Sequence, residues 1–221
     1  MKQKKKIVIL HVILSKGYAG SEKYVLDLVR YQNKDHKVFL VILKSNRILK
    51  EYLDDKIKTF EIGNFFKKYR IKNLIKKIKP NIIHTHLGEA TKSVNKSTDY
   101  KTISTMHMNY RADIYKNSDA IVVSNSTQFN QIKKNFNGKL FQSNLWVNLP
   151  KVSIIKSKLK KNLKIPNDNF IFGSIGRFHP QKGFDIIIKA FKDLKLKNCT
   201  LILIGNGHKE FKNLERKFNN F

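Results

Sequence analysis

The sequence has a single cysteine, few acidic side chains and no long apolar run. The lone Cys199 excludes a disulfide within the chain and fits a reducing compartment such as the cytosol. No apolar stretch approaches the roughly 20 residues that a membrane-spanning helix needs, so we expect any membrane contact to be peripheral, at the inner face. The first apolar run, Ile7 to Leu14, follows a basic N-terminus but lacks a small-residue cleavage site. We interpret it as a buried strand rather than a signal peptide.

The shortage of acidic residues leaves a strongly positive chain. Its 221 residues include 45 lysines and arginines against 16 aspartates and glutamates, a formal net charge of +29. Such a field favours anionic partners: phosphate-bearing ligands, acidic lipid headgroups or nucleic acid. The lysines are spread over the chain, however, and no nucleic-acid-binding module is recognisable. We therefore expect no nucleic-acid partner, and a general bias toward lysine remains an alternative explanation of the charge.

Short apolar runs alternate with longer helical patterns through the first 136 residues. Because the runs are continuous rather than alternating, they predict strands buried on both faces, in a parallel sheet flanked by helices. In such α/β sheets, ligands gather at the carboxyl ends of the strands. The predicted strands are Ile7–Leu14, Lys37–Leu43, Lys58–Glu61, Ile82–Thr85, Lys101–Thr105 and Ala120–Val123, and the predicted helices are Ser21–Tyr31, Arg47–Leu53, Lys67–Lys79 and Thr127–Phe136.

A lysine-rich segment with a turn signal at Pro166–Asn169 predicts a domain boundary. We divide the chain into a Rossmann-like domain (1–150), a basic linker (151–169) and a partial second Rossmann-like domain (170–221). The second part has predicted strands and helices for only two strand–helix repeats, which bury too little apolar surface for an independent domain. These elements are Phe170–Ile175, Asp185–Leu194, Thr200–Ile204 and Lys209–Phe218.

The most informative stretch is Ile171–Phe191, in which a strand runs through a glycine-bounded turn into an amphipathic helix. Arg177 and Lys182 lie five positions apart on that turn, so they can reach different oxygens of one diphosphate. The following helix would add free N–H groups and a positive dipole end. An ordinary strand-to-helix connection with two solvated charges remains the alternative.

Five separate motifs occur in an order that resembles glycosyltransferase family 4, whose retaining, sugar-nucleotide-dependent members have the GT-B fold. Individually each motif is common. Two small residues, Ala19 and Ser21, depart mildly from the family's glycine-rich loop. The matching segments are Gly17–Val29, Pro80–His86 with its His-Thr-His end, Thr105–His107, Ser118–Ser124 and Gly176–Gly183, followed by Ile204–Gly207.

The resemblance implies a GT-B type α/β fold and transfer of a sugar from a nucleotide-diphosphate sugar to a glycan or lipid-linked acceptor in polysaccharide assembly. It implies no cofactor and no obligatory metal. Arg177, Lys182 and the backbone at Gly17 and Gly20 are the expected donor-phosphate ligands. His107 is the expected catalytic residue at the reacting centre. A structural histidine bonded to a backbone carbonyl is the alternative for it.

Three further residues near the strand ends need an interpretation. His84 and His86 point to one face of a strand, but no carboxylate or thiol joins them at metal-ligand spacing, so we predict no metal site. His86, at the end of the strand, is expected to line the acceptor side of the cleft. Glu22 begins the first helix, where a carboxylate is favoured by the helix dipole, and a capping role explains it.

One family feature is missing from the sequence. Family members carry two glutamates eight positions apart in the second domain, which hold the donor sugar and the ribose, whereas Glu210 and Glu215 are five apart and too early. We therefore expect a truncated or split enzyme that is weakly active or inactive alone, with a second polypeptide as one partner. The alternatives are a non-catalytic binding module and a basic protein that binds acidic membranes. A cytoplasmic location, peripheral to the membrane, fits each.

Overall fold

The computed structural model describes residues 5–144, 146, 155–207 and 212–214. The chain divides into two compact units, Met1–Asn148 and Leu149–Phe221. Among the helices of the described residues, none has the length and apolar character that crossing a bilayer requires.

A seven-stranded parallel sheet forms the centre of the first unit, in the order β3-β2-β1-β4-β5-β6-β7. The order reverses between β1 and β4, because the chain fills one side of β1 first and then continues from β4 in the other direction. This is the topology of a Rossmann-like domain, and it confirms the predicted α/β class. The strands are β1 (Val8–Ile13), β2 (Lys37–Leu43), β3 (Lys58–Ile62), β4 (Ile82–His86), β5 (Lys101–Thr105), β6 (Ala120–Val123) and β7 (Lys139–Gln142).

Helices cover both faces of this sheet. The central strands are almost wholly buried, and their side chains divide between two apolar clusters, one with Val25 and Val29 of the first helix and one with Ile71 of the third. The continuous apolar runs of the sequence therefore mark strands covered on both sides. The helices are α1 (Gly20–Gln32), α2 (Arg47–Lys50), α3 (Lys67–Ile78), α4 (Leu87–Lys92), α5 (Ala112–Tyr115) and α6 (Ser126–Lys133).

Sequence reasoning missed three elements of the first unit. β7 is a short edge strand with exposed Lys139 and Gln142, so it has no apolar run to reveal it. The segments 88–100 and 108–115, in which no helix was predicted, contain most of α4 and all of α5. Both helices are only one or two turns long, which is too short for a helical period to show in the sequence.

The second unit contains two parallel strands, β8 (Phe170–Ile175) and β9 (Cys199–Ile204), with the helices α7 (Lys156–Asn162) and α8 (Phe184–Asp193). α7 lies inside the segment interpreted as a linker. Its Lys160 is buried and donates hydrogen bonds to the backbone carbonyls of Asn167 and Asn169, both at 2.6 Å, which ties this helix to the turn before β8. The predicted helix Lys209–Phe218 lies outside the described residues except for 212–214, which are helical.

Candidate functional site

The carboxyl ends of β1, β4 and β5 come together where the strand order reverses. Ile13 of β1 pairs with His86 of β4, which in turn pairs with Thr105 of β5. His86 is the last residue of β4, and His107 follows β5 by two positions. Because ligands of open α/β sheets bind at this reversal, two of the predicted site residues lie at the expected edge of the sheet.

The glycine-rich loop leaves β1 at the same edge and enters α1. A β-carbon placed on Gly17 or Gly20 would meet no atom within 4 Å, and neither residue has a positive φ. The protein's own packing therefore does not require glycine at these positions. The buried Asn46 holds the loop, because its Nδ2 donates to the carbonyls of Ser15 at 3.1 Å and of Gly17 at 2.8 Å.

Asn46 is a residue that sequence reasoning missed. Its Oδ1 accepts from the N–H of Leu49 at 3.1 Å, so one side chain both caps α2 and fixes the glycine-rich loop. The position directly before a helix was the available signal, since asparagine is favoured there as a cap.

Glu22 caps the first helix, as predicted. Its buried carboxylate accepts from the N–H of Ala19 at 2.8 Å and from the hydroxyl of Ser21 at 2.9 Å. The same carboxylate opposes the effect of burial on His107: burial lowers the pKa of His107, and the charge of Glu22 acts to raise it.

Three histidines form a buried hydrogen-bonded cluster under this edge. The Nε2 of His11 lies 2.7 Å from the Oε1 of Gln32, and its Nδ1 lies 3.0 Å from the Nε2 of His86. Because a carbonyl oxygen only accepts, the His11 proton is assigned to Nε2, and His86 then donates to His11. The Nδ1 of His86 is left buried without a partner among the described residues. The third ring, His84, stacks on His86 at 4.3 Å and places its Nε2 2.7 Å from the hydroxyl of Thr105.

Burial keeps these imidazoles neutral. It lowers the pKa of His11 to about 4 and lowers the pKa values of His84 and His86 well below the ordinary value. A charged imidazole would lose its hydration here without gaining an acid partner, which explains the direction of every shift.

The cluster also bears on the predicted absence of a metal. One nitrogen each of His11, His84 and His86 lies within 4.8 Å of the others, so the structure adds a third imidazole to the pair seen in the sequence. His11 was missed because its pairing opposite His84 depends on which strands are neighbours. Both nitrogens of His11 already form hydrogen bonds, to Gln32 and His86. These bonds explain why the rings lie close together, and no metal ion is needed for that. The absence of a metal therefore stays a prediction.

His107 lines a cleft of about 490 Å³ at the start of α1. The ring of Tyr24 packs edge-on against His107 at 5.4 Å and lies 4.4 Å from the ring of Trp146. The Nε2 of His107 is buried and has no hydrogen-bond partner among the described residues. The other residues lining the cleft are Gly20, Ser21, Lys23, Asp27, Leu87 and Met108.

His86 differs from expectation. It was expected to line the acceptor side of the cleft, but its side chain is wholly buried and packs against Tyr24 at 6.3 Å and His107 at 6.0 Å. The strand end that carries it is covered by α1, so His107, and not His86, reaches the cleft.

In the second unit, Arg177 and Lys182 both lie on the turn between β8 and α8, exposed and without an ion pair among the described residues. The turn is held in place by the packing of Phe178 on Phe184 at 4.9 Å and by a short 3₁₀ segment that ends at Gly183. Gly183 adopts φ of 63° and begins α8 directly, so only glycine fits there without strain.

Asp185 lies in the first turn of α8 and already provides a negative charge at the helix start. An anion bound at this turn is therefore expected to be neutralised mainly by the two cations.

Comparison with known proteins finds similarity to glycosyltransferases along the chain. A family model described as "Glycosyl transferases group 1" matches residues 155–220. The glycogen synthase of Thermotoga petrophila is 32% identical over 65 residues, which cover 28% of this chain and 13% of that protein. Two solved structures resemble nearly the whole chain: a glycosyltransferase from Rickettsia africae (18% identity, TM-score 0.78) and HepE of Anabaena with UDP and glucose (16% identity, TM-score 0.73).

The two structural matches each cover 97% of this chain. In turn, this chain spans 65% of the length of the Rickettsia glycosyltransferase and 66% of the length of HepE. At these identities they establish the fold alone, while the family match rests on the second unit with its Arg177–Lys182 turn. The second unit therefore matches the group 1 glycosyltransferases. Taken with the motif order in the first unit, the chain resembles glycosyltransferase family 4 and has a GT-B-like fold.

Proposed function

We propose that this protein acts in the retaining transfer of a sugar from a nucleotide-diphosphate sugar to a hydroxyl of a glycan or lipid-linked acceptor. The observation that carries the proposal is the unpartnered Nε2 of His107 beside a cleft at the reversal of the strand order. A buried polar atom without a partner costs free energy, and one whose residue lines a cleft can be satisfied by a ligand group. The complex of Anabaena HepE with UDP and glucose supports a donor of this class.

In the proposed reaction, the bond between the anomeric carbon and the diphosphate oxygen breaks, and a bond to the acceptor oxygen forms. Negative charge collects on the departing diphosphate, and the proton of the acceptor hydroxyl passes to one of its oxygens. In the second unit, Arg177 and Lys182 would neutralise that charge. In the first unit, N–H groups at Gly17 and Gly20 are open to an anionic group without a side chain in the way.

His107 has the properties of a group at the reacting centre. Its pKa is lowered by burial, so the ring is neutral near pH 7 and can either donate or accept one hydrogen bond. Tyr24, whose own pKa is raised by burial, packs edge-on against the ring and restricts its orientation. His86 would act behind it as a positioning residue.

The test separates donor binding from turnover. Calorimetry with UDP, GDP and ADP, followed by nucleotide release from the matching sugars, should show His107→Gln lowering turnover by about 100-fold while nucleotide binding persists. Arg177→Met and Lys182→Met should each weaken nucleotide binding by about tenfold, since a hydrogen bond to a charged group is lost.

Matched controls are His36→Gln, in the turn before β2, and Lys189→Met, exposed on α8. Neither should change binding or turnover. Absence of nucleotide binding, or equal losses in the controls, would contradict the proposal. Binding without turnover in the wild-type chain would fit both a split enzyme that needs a second polypeptide and the binding-module alternative. Turnover restored by adding such a polypeptide would favour the split enzyme.

A further inference from the structure

An exposed surface of aromatic and basic side chains lies at the start of α3, which follows the carboxyl end of β3. Phe65 is 80% exposed, Phe66 78% and Tyr69 65%, although all three have large apolar rings. Single exposed apolar residues are ordinary, but three within five positions form a patch. We define the α3 surface as Phe65, Phe66, Lys68, Tyr69, Lys72 and Lys76.

The helix itself is anchored to the protein by its other side. Ile71 is fully buried, and Leu74, Ile75 and Ile78 pack against the same apolar cluster. These positions follow the spacing of one helix face, so Tyr69, Lys72 and Lys76 lie away from it. Lys68 borders that face, and its side chain is also exposed. The exposed aromatic rings are therefore not needed to cover the apolar core of this unit, because the other side of α3 already does so.

The charge of the α3 surface is uniform. Seven basic residues lie between Phe65 and Lys79, and the sequence contains no acidic residue from Ile62 through Gly88. Of these seven, Lys67 pairs with Glu89, whereas no ion pair within the described residues involves the others.

The backbone at this point is also unusual. Phe66 has φ of 56° and ψ of 33°, a left-handed conformation that a large side chain adopts only at a cost. That conformation begins the helix while leaving Phe66 almost fully exposed. The structure thus maintains an unfavourable backbone at a residue whose ring contributes little to the core, as is common where function fixes a conformation.

We propose that the α3 surface docks on an anionic lipid bilayer, with Phe65, Phe66 and Tyr69 entering the interface and the lysines meeting the headgroups. Aromatic rings are favoured at the membrane–water boundary. Each basic residue near a negatively charged leaflet raises the membrane affinity by about fivefold. Only the first turn of α3 would enter, because its apolar side is already buried in the protein. The docking does not depend on the sugar transfer proposed above, but it would hold the protein beside a lipid-linked acceptor.

The composition favours lipid over nucleic acid. Six of the seven basic residues are lysines, which act as point charges and suit mobile headgroups, whereas planar recognition of nucleic-acid phosphates and bases favours arginine.

The experiment is co-sedimentation of the full chain with phosphatidylglycerol-containing vesicles, compared with pure phosphatidylcholine vesicles and with a single-stranded RNA oligomer. We expect binding to the anionic vesicles that weakens with salt. Phe65→Ser/Phe66→Ser should lower it at least tenfold, and Lys68→Gln/Lys72→Gln should lower it about 25-fold. The matched controls are Tyr31→Ser/Phe141→Ser and Lys133→Gln/Lys134→Gln, exposed residues of the same kinds on other elements.

Losses as large in the controls would overturn the proposal, because the binding would then come from the overall charge. RNA binding that depends on the α3 surface, with no effect of Phe65→Ser/Phe66→Ser on vesicle binding, would also overturn it. Phe65→Trp provides a measurement that does not rely on lost binding. Its emission should shift to the blue and be quenched by brominated lipid when vesicles are added, and an unchanged spectrum would contradict insertion.

Discussion

Glycines in this chain differ in what a side chain would meet. At Gly17 and Gly20 an added β-carbon has open space, whereas at Gly205 it would lie 1.9 Å from the carbonyl oxygen of Gly176. The first two residues can therefore be changed without disturbing the protein's own packing. This separates a loss of ligand binding from a loss of folding.

The Gly20→Ala variant tests whether the open space at Gly20 is needed for donor binding. The variant should melt at or slightly above the wild-type temperature, because alanine is the better helix residue and nothing obstructs it. Donor binding should weaken if the loop backbone approaches the diphosphate, since the new methyl group would fill that space. Thermal melting and nucleotide calorimetry on the same sample test both parts. Unchanged nucleotide affinity would remove Gly20 from the donor site.

The buried histidines make the stability of the first unit sensitive to acid. Burial lowers the folded-state pKa of His11 to about 4, whereas an unfolded histidine takes up a proton near pH 6.5. The resulting stability is fully present above about pH 6.5 and is lost as the pH falls toward 4, because the unfolded chain then binds more protons. His84 and His86 shift in the same direction.

We therefore expect the free energy of unfolding to fall by more than about 1.4 kcal/mol per pH unit across this window, the slope for one proton. Urea titrations at a series of pH values measure the slope. In the His11→Gln variant, the slope of the free energy of unfolding against pH should decrease by about the amount that one proton contributes. A wild-type stability that stays constant from pH 6.5 to 5 would show that the imidazoles are not held neutral.

At the scale of elements, the turn between β8 and α8 depends on close backbone approach. The carbonyl of Gly176 lies against Gly205 after β9, and the N–H of Phe178 donates to the carbonyl of Asn206 at 2.7 Å. These contacts hold the two strand ends together beside Arg177. Any side chain at Gly205 must push them apart.

Gly205→Ala should accordingly destabilise the second unit by about 3 kcal/mol, toward the upper end of the cost of overpacking. Gly173→Ala on β8 is the matched control, because its β-carbon would meet nothing within 4 Å. Chemical denaturation, followed with a spectroscopic probe in the second unit, measures the free energy of unfolding of the two variants. Equal stability of the two variants would mean that the strand ends separate easily.

The sequence was sufficient to locate β2, β5, β6 and β8 to the residue. The apolar runs of β2, β6 and β8 end before Lys44, Ser124 and Gly176. It could not reveal β7, whose Lys139 and Gln142 face solvent at the edge of the sheet. For the site, motif order placed His107 at the right strand end. His11 and Asn46 were missed because their partners, His86 and the Gly17 loop, are distant in the chain and become neighbours only through strand pairing and helix placement.

At the scale of the whole molecule, the two units differ in how well their sheets are covered. The strands β1 and β4 are almost entirely buried, whereas no residue of β8 or β9 is fully buried. Large side chains such as Phe170 and Ile175 of β8 are 64% and 79% exposed. Local stability follows buried apolar contact, so the second unit should open more easily.

Amide hydrogen exchange measured by mass spectrometry tests this difference. Peptides spanning β8 and β9 should exchange well before those spanning β1 and β4, because a two-stranded sheet with exposed apolar faces is marginally stable. Equal protection of all four strands would contradict the expectation. A donor nucleotide that binds the Arg177–Lys182 turn should slow exchange in β8.

Lys160 gives the second unit a built-in chemical reporter. Among the described residues it is the only lysine or arginine that is buried as a whole residue, and its ammonium group is held by two carbonyls. Reagents that modify amines will react with the many surface lysines at once but reach Lys160 only after α7 separates from its turn. The labelling rate of the peptide that contains Lys160 therefore measures how often the unit opens. The dozens of accessible amines on the same molecule serve as an internal standard.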